Sequence, residues 1–155
     1  MPKRSFAAAA AADNAFTREL RARAGREAEA GNLTLYFFAD EALRPLPGPI
    51  EAACFDLVHE AIVNVVKHAR ATRVWVRLGL ARDDLLVTVR DDGGGFDPDS
   101  AQRRALGGEH LGLPTLYDRI NAMGGSLEVR SAPREGTTLA ASFPLGPLDL
   151  TEPAG

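Results

Sequence analysis

The sequence predicts an α+β domain, and three observations predict it. Five short segments alternate apolar and polar residues with period two. Three longer runs favour helix. Clusters of Gly, Pro, Asn and Asp separate them. The chain has 155 residues, enough for one domain with a single core.

Taken in order, residues 13–30 read as a helix capped by Asp13 or Asn14, with a thin apolar side of Phe16, Leu20 and Ala24 and a stop at Gly31-Asn32. Residues 33–39 alternate Leu33, Leu35 and Phe37 against Thr34 and Tyr36, a strand pattern. Pro45, Pro47 and Pro49 make residues 44–49 a loop, and Pro49 suits a helix start. A helix is expected over residues 50–70. Strands are expected over 72–80 and 85–91, joined by a hairpin at 81–84. Parity puts Asp91 on the same face as Leu85, Val87 and Val89, so a carboxylate at a strand end points inward, where an unpartnered charge is costly. Asp91-Asp92-Gly93-Gly94-Gly95-Phe96 is a glycine-rich turn, which frees the backbone for close approach to a ligand or simply for bending. Residues 97–111 are polar and without pattern, a length of loop that is usually functional or disordered. Leu113, Leu116, Tyr117, Ile120 and Met123 mark a helix face closed by Gly124-Gly125, and strands follow at 126–130 and 137–143.

Composition excludes several classes. Hydrophobic content is 45% and charged content 25%, as in ordinary globular domains. A net charge of −3 lacks the basic footprint of a general nucleic-acid binder and gives no attraction to an anionic membrane. One cysteine, Cys54, cannot form an internal disulfide or a cysteine metal cluster, and is simplest as a small core residue. Lys3 and Arg4 ahead of Phe6 and six alanines only faintly imitate a signal peptide, and a linker is expected there.

The residues that demand an explanation lie on the long helix. At about 100° per residue, Glu60, Asn64, Lys67 and His68 fall on one side of an otherwise apolar run. A solvated face explains such a stripe as well as a ligand does. His59-Glu60 opens like a zinc-protease signature, but Val63 stands where the second histidine is required. No phosphate-binding G-x-x-x-x-G-K-[ST] loop, dinucleotide G-x-G-x-x-G turn or G-x-S-x-G elbow is present. His59 has no evident partner. Arg103-Arg104 reads as a solvated pair that could reach a phosphate, and Trp75 lies on the polar face of its strand, capping a surface or an interface.

One ordered set remains: Glu60-x-x-x-Asn64-x-x-Lys67-His68, then Asp91-x-Gly93-x-Gly95, then His110-Leu111-Gly112-Leu113, then Gly136-Thr137. Over roughly residues 33–144 this resembles the ATP-binding catalytic domain of sensor histidine kinases, in the superfamily that includes gyrase, Hsp90 and MutL. It looks most like the subgroup that pairs with LuxR-type response regulators, such as the nitrate sensors. The resemblance implies an α/β (α+β) two-layer sandwich, the Bergerat ATP-binding fold, with a mixed sheet of about five strands and helices on one face. It implies that Asn64 holds Mg²⁺, that Lys67 and His68 face the phosphates of ATP, and that Glu60 assists proton transfer. Asp91 would accept a hydrogen bond from the adenine amino group, and Gly93 and Gly95 would let the backbone close around the base. Residues 96–111 would form a short lid containing His110, which stands where the family's commoner form has a glycine. The amides of Gly112 and Leu113 would meet the phosphates, and Gly136 and Thr137 would complete the adenine site.

The same resemblance implies a division into a linker or helix over 1–31, a remnant of a dimerisation domain; an ATP-binding domain over 32–145; and a flexible tail over 146–155. The acceptor would be a histidine on a separate dimerisation domain, because His59, His68 and His110, the chain's three histidines, lie outside the family's acceptor context. A response regulator would be reached through that domain. No nucleic acid and no direct membrane contact are expected, and the location would be cytoplasmic, with a parent kinase that can be membrane-anchored. The alternatives are an anti-sigma-type serine kinase and a non-catalytic, nucleotide-dependent interaction module.

Overall fold

A computed structural model describes residues 14–43, 45–94 and 113–146, apart from the side chains of residues 68 and 69. The first helix, α1 (Ala15–Ala30), starts where a capping box forms. The Asn14 side chain accepts from the Thr17 amide at 2.9 Å, and the Thr17 hydroxyl accepts from the Asn14 amide at 3.2 Å. Its thin apolar side is nevertheless a packing face: Phe16, Leu20, Ala24 and Ala28 are buried in the same core as the residues that follow.

After β1 (Thr34–Ala39) comes α2 (Gly48–Asn64). It buries Ile50, Ala53, Cys54, Leu57, Val58, Ala61 and Ile62, and full burial of a side chain such as Leu57 or Ile62 contributes about 1.5–3 kcal/mol. Burial, helped by the Glu51 carboxylate, pushes the Cys54 thiol up to about 12, which fits an inert core residue. The expected unbroken helix to residue 70 is corrected here. Regular α-helix ends at Asn64, and Val65–Ala69 form a π turn closed by Arg70 in the left-handed region (φ 54°). Sequence periodicity cannot register this change, because i→i+5 bonding lasts for a single turn. Asn64 therefore sits at the junction of two helical geometries rather than in the middle of a helix.

Strands β2 (Arg73–Ala81) and β3 (Asp84–Asp91) make the expected hairpin, α3 spans Leu113–Ala122, and β4 (Ser126–Ser131) and β5 (Thr137–Pro144) follow. The five strands form one mixed sheet in the order β1-β2-β3-β5-β4, with β1 parallel to β2 and all other pairs antiparallel. The two-layer mixed-sheet architecture expected from the sequence is the one observed. Val74, Val76, Leu78, Leu85, Val87, Val89, Leu139, Ala141 and Phe143 are buried in the core shared with the helices.

The opposite face of the sheet carries a ladder of rings and guanidinium groups. Tyr36, Trp75 and Arg90 are cross-strand neighbours. The Tyr36 and Trp75 rings stack at 5.6 Å, and the Arg90 guanidinium lies 4.6 Å from the Trp75 ring centroid. Such pairs support a sheet by about 0.2–1 kcal/mol each, and they account for Trp75 on a polar face. His59, for which the sequence offers no partner, has one 32 residues away: its Nδ1 lies 2.5 Å from Glu27 Oε2 on α1.

Candidate functional site

Parallel pairing of β1 with β2 and antiparallel pairing elsewhere bring an end of every strand to one end of the sheet. These are the starts of β1, β2 and β5, the end of β3, and the end of β4 at Ser131. At that end Asp91 pairs in register with Val74 on one side and Thr137 on the other. Asp91 is only 4% exposed. Its Oδ1 accepts a 2.8 Å bond from the Gly93 amide. Burial raises its carboxyl above the ordinary carboxylate value, and the backbone amides of Gly93 and Thr137 offset part of that rise. No cation forms an ion pair with it among the described residues. A buried acceptor in this state suits a neutral hydrogen-bond donor better than a metal ion or a free anion.

The turn around Asp91 is held from three sides. Asp92, which sequence reasoning left without a role, accepts from the Thr72 and Arg73 amides at 2.9 Å each, and from the Thr72 hydroxyl and Arg73 Nε at 3.0 Å each. Desolvation works against its charge, but these four bonds hold its carboxyl well below the usual carboxylate range. Asp92 is thus a latch fastening the end of β3 to the start of β2; the adjacent Asp-Asp pair is the only trace of it in the sequence. The Arg134 amide donates to the Gly94 carbonyl, tying the β4–β5 turn to the glycine stretch. Gly136, at φ +75°, lies so close that a Cβ would overlap the Asp91 carbonyl oxygen. Next to it, the Ser131 hydroxyl bonds to the Thr137 hydroxyl at 2.8 Å and donates to the Gly136 carbonyl at 3.1 Å.

The helical stripe reaches this region through the π turn, which delivers the chain to β2 at Arg73. Glu60 and Asn64 are half-buried one α-helical turn apart, and Lys67 is exposed on the π turn. The carboxylate of Glu60 and the ammonium of Lys67 make no salt bridge among the described residues. Leu113 is the first residue of α3 and half-buried. Asp91, Gly93 and Thr137 are thus brought together directly, while Glu60, Asn64 and Lys67 lie on the segment leading to the same end. Gly95, His110, Gly112, the side chain of His68, and the lid and Arg103-Arg104 positions lie outside the described residues.

One end of a mixed sheet thus holds a buried strand-end carboxylate beside a glycine turn. The chain belongs to the histidine kinase-, DNA gyrase B- and HSP90-like ATPase family, whose model matches residues 50–147. Among its relatives, the sensor histidine kinase NarS of Mycobacterium tuberculosis is 39% identical over 101 residues, 65% of this chain and 23% of that protein. The signal transduction histidine-protein kinase/phosphatase DegS of Brevibacillus brevis is 34% identical over 99 residues, 64% of this chain and 24% of that protein. The chain therefore spans about a quarter of the length of these curated relatives. The histidine kinase domain of the blue-light-activated kinase of Erythrobacter litoralis superposes with a TM-score of 0.69 at 24% identity, over 84% of this chain and 61% of that one, and so shares the fold.

Proposed function

We propose that this chain is the ATP·Mg²⁺-binding catalytic domain of a two-component sensor histidine kinase of the kind that pairs with LuxR-type response regulators. The observation that carries the reading is Asp91, a carboxylate sealed at a strand end with backbone donors but no cation among the described residues. The amino group of adenine is a further neutral donor for this acceptor, and Gly93 and Gly95 let the backbone close around a flat base. Gly95, Gly136 and Thr137 complete that end of the pocket.

The phosphate end is assigned to the helix and π turn. Lys67 and His68 face the phosphates, and the amides of Gly112 and Leu113 donate to phosphate oxygens. His110 belongs to the short lid over residues 96–111. Asn64 would hold the Mg²⁺ ion, which supplies charge neutralisation when bound. In the transfer, a nitrogen lone pair of the acceptor imidazole forms a bond to the γ-phosphorus. The bond from that phosphorus to the β–γ bridging oxygen breaks, and ADP leaves with its electrons. Glu60 takes the proton that the acceptor imidazole sheds.

The acceptor lies on a separate dimerisation domain, and the response regulator is reached through it. Residues 32–145 form the nucleotide-binding unit, and α1 packs into the same core. A cytoplasmic location goes with the kinase reading; among the described residues no helix is long and apolar enough to cross a membrane. The test is incubation with ATP·Mg²⁺ and a four-helix dimerisation domain bearing the acceptor histidine. An acid-labile phosphoryl group on that domain is the expected product. An acid-stable one on a supplied protein would point to a serine kinase, and no transfer to any supplied acceptor would favour a nucleotide-dependent interaction module.

A further inference from the structure

We infer that Gly31, at the C-terminal cap of α1, is a positioning residue for the nucleotide site: its missing Cβ lets α1 close on Val66 and so sets the π turn that carries Lys67. The inference rests on the nucleotide reading above. Its geometry does not.

Helices α1 and α2 meet along a seam whose contacts ascend together. The Phe16 and Phe55 rings meet edge to face at 5.5 Å, the Arg23 guanidinium lies 4.5 Å from the Phe55 ring centroid, and Glu27 reaches His59 at 2.5 Å. The last contact of the seam is Gly31 against Val66, beyond the end of the regular helix and inside the π turn. A Cβ on Gly31 would overlap one Val66 methyl carbon, Cγ2, and would stand 3.3 Å from the other and 3.4 Å from the Val66 Cβ.

The backbone does not explain this glycine. Gly31 has φ −96° and ψ 9°, which any L-residue can adopt. The left-handed residue at the end of α1 is Asn32, at φ 61°. What Gly31 supplies is space for Val66. Neither side yields easily. The Gly31 amide bonds to the Glu27 and Ala28 carbonyls at 3.2 and 3.1 Å, and the next buried residue, Leu33, bonds back to the Ala28 carbonyl at 2.8 Å. Val66 is β-branched and has few rotamers on a helical backbone. A side chain at position 31 therefore displaces the π turn or forces Val66 off its rotamer, and Lys67 is the next residue along. Val66 is 47% exposed, so truncating it removes the obstacle at little cost in packing.

The test is a double-mutant cycle on the whole chain: wild type, Gly31→Ala, Val66→Ala and the double variant. ATP·Mg²⁺ affinity is read by calorimetry, and amide hydrogen exchange over residues 65–70 is read without nucleotide. Gly31→Ala is expected to weaken ATP·Mg²⁺ about tenfold and to speed exchange in the π turn, and the double variant to return to within about twofold of wild type. A Gly31→Ala protein that matches wild type in both readouts overturns the inference, as does a double variant as impaired as Gly31→Ala. If Gly31→Ala alone fails to fold, a folded double variant supports the contact and failure of both overturns it. A wild-type protein that does not bind ATP removes the nucleotide reading, while exchange still reports whether Gly31 sets the turn.

Discussion

Asp91→Asn is expected to lose most of the affinity for ATP, by about ten- to a hundredfold, while the nucleotide-free protein stays as stable as wild type or becomes more so. The two halves have one cause. Hydrogen bonds to a charged acceptor contribute about 1.5–3 kcal/mol, and the amide presents its own N–H₂ where the carboxylate has a second acceptor. Yet the same carboxylate is a burden to the empty fold, because burial raises its carboxyl above the unfolded value. A raised carboxyl means that the native state holds its proton more tightly than the unfolded state does. Its contribution to stability is then full below the unfolded value and lost as pH rises through the native one. Denaturant titrations of the nucleotide-free proteins should show wild type losing more stability than Asp91→Asn between acidic and neutral pH. Unchanged ATP binding by the variant would contradict the adenine assignment.

Glu60→Gln is expected to keep ATP affinity within a few-fold of wild type and to lower phosphoryl transfer to a supplied acceptor domain by about 10²–10⁴-fold, the range for removing a general base. The amide is nearly isosteric with the carboxylate, and Glu60 makes no salt bridge among the described residues, so the fold should not register the change. Single-turnover transfer separates this from a binding defect. If the variant transferred phosphoryl groups at the wild-type rate, Glu60 would not be the base.

Strands and helices were legible because alternation and helical spacing are written one residue at a time. The inward aspect of Asp91 followed from parity with Leu85, Val87 and Val89, and it is buried. Four features were not legible, each because it depends on a contact distant in sequence or on a change of helical pitch. The π turn spans five residues, too few to leave a period. The Asp92 latch joins residues 19 and 20 positions apart, and a second aspartate in a turn reads as solvated. His59 finds Glu27 only once α1 lies along α2. Gly31 was read as a helix stop, which the chain indeed needs there, but Asn32 supplies the left-handed turn and Gly31 supplies room for Val66.

On the proposed function, the sheet end around Asp91 and the helix end at Asn64 with its π turn are two ends of one ATP·Mg²⁺ pocket. Calorimetric titration of the wild-type chain with ATP, with Mg²⁺ present and then chelated, tests it most directly. Saturable one-to-one binding that tightens when Mg²⁺ is present is the expected result. Absence of binding under both conditions, or equal affinity with and without Mg²⁺, would contradict it.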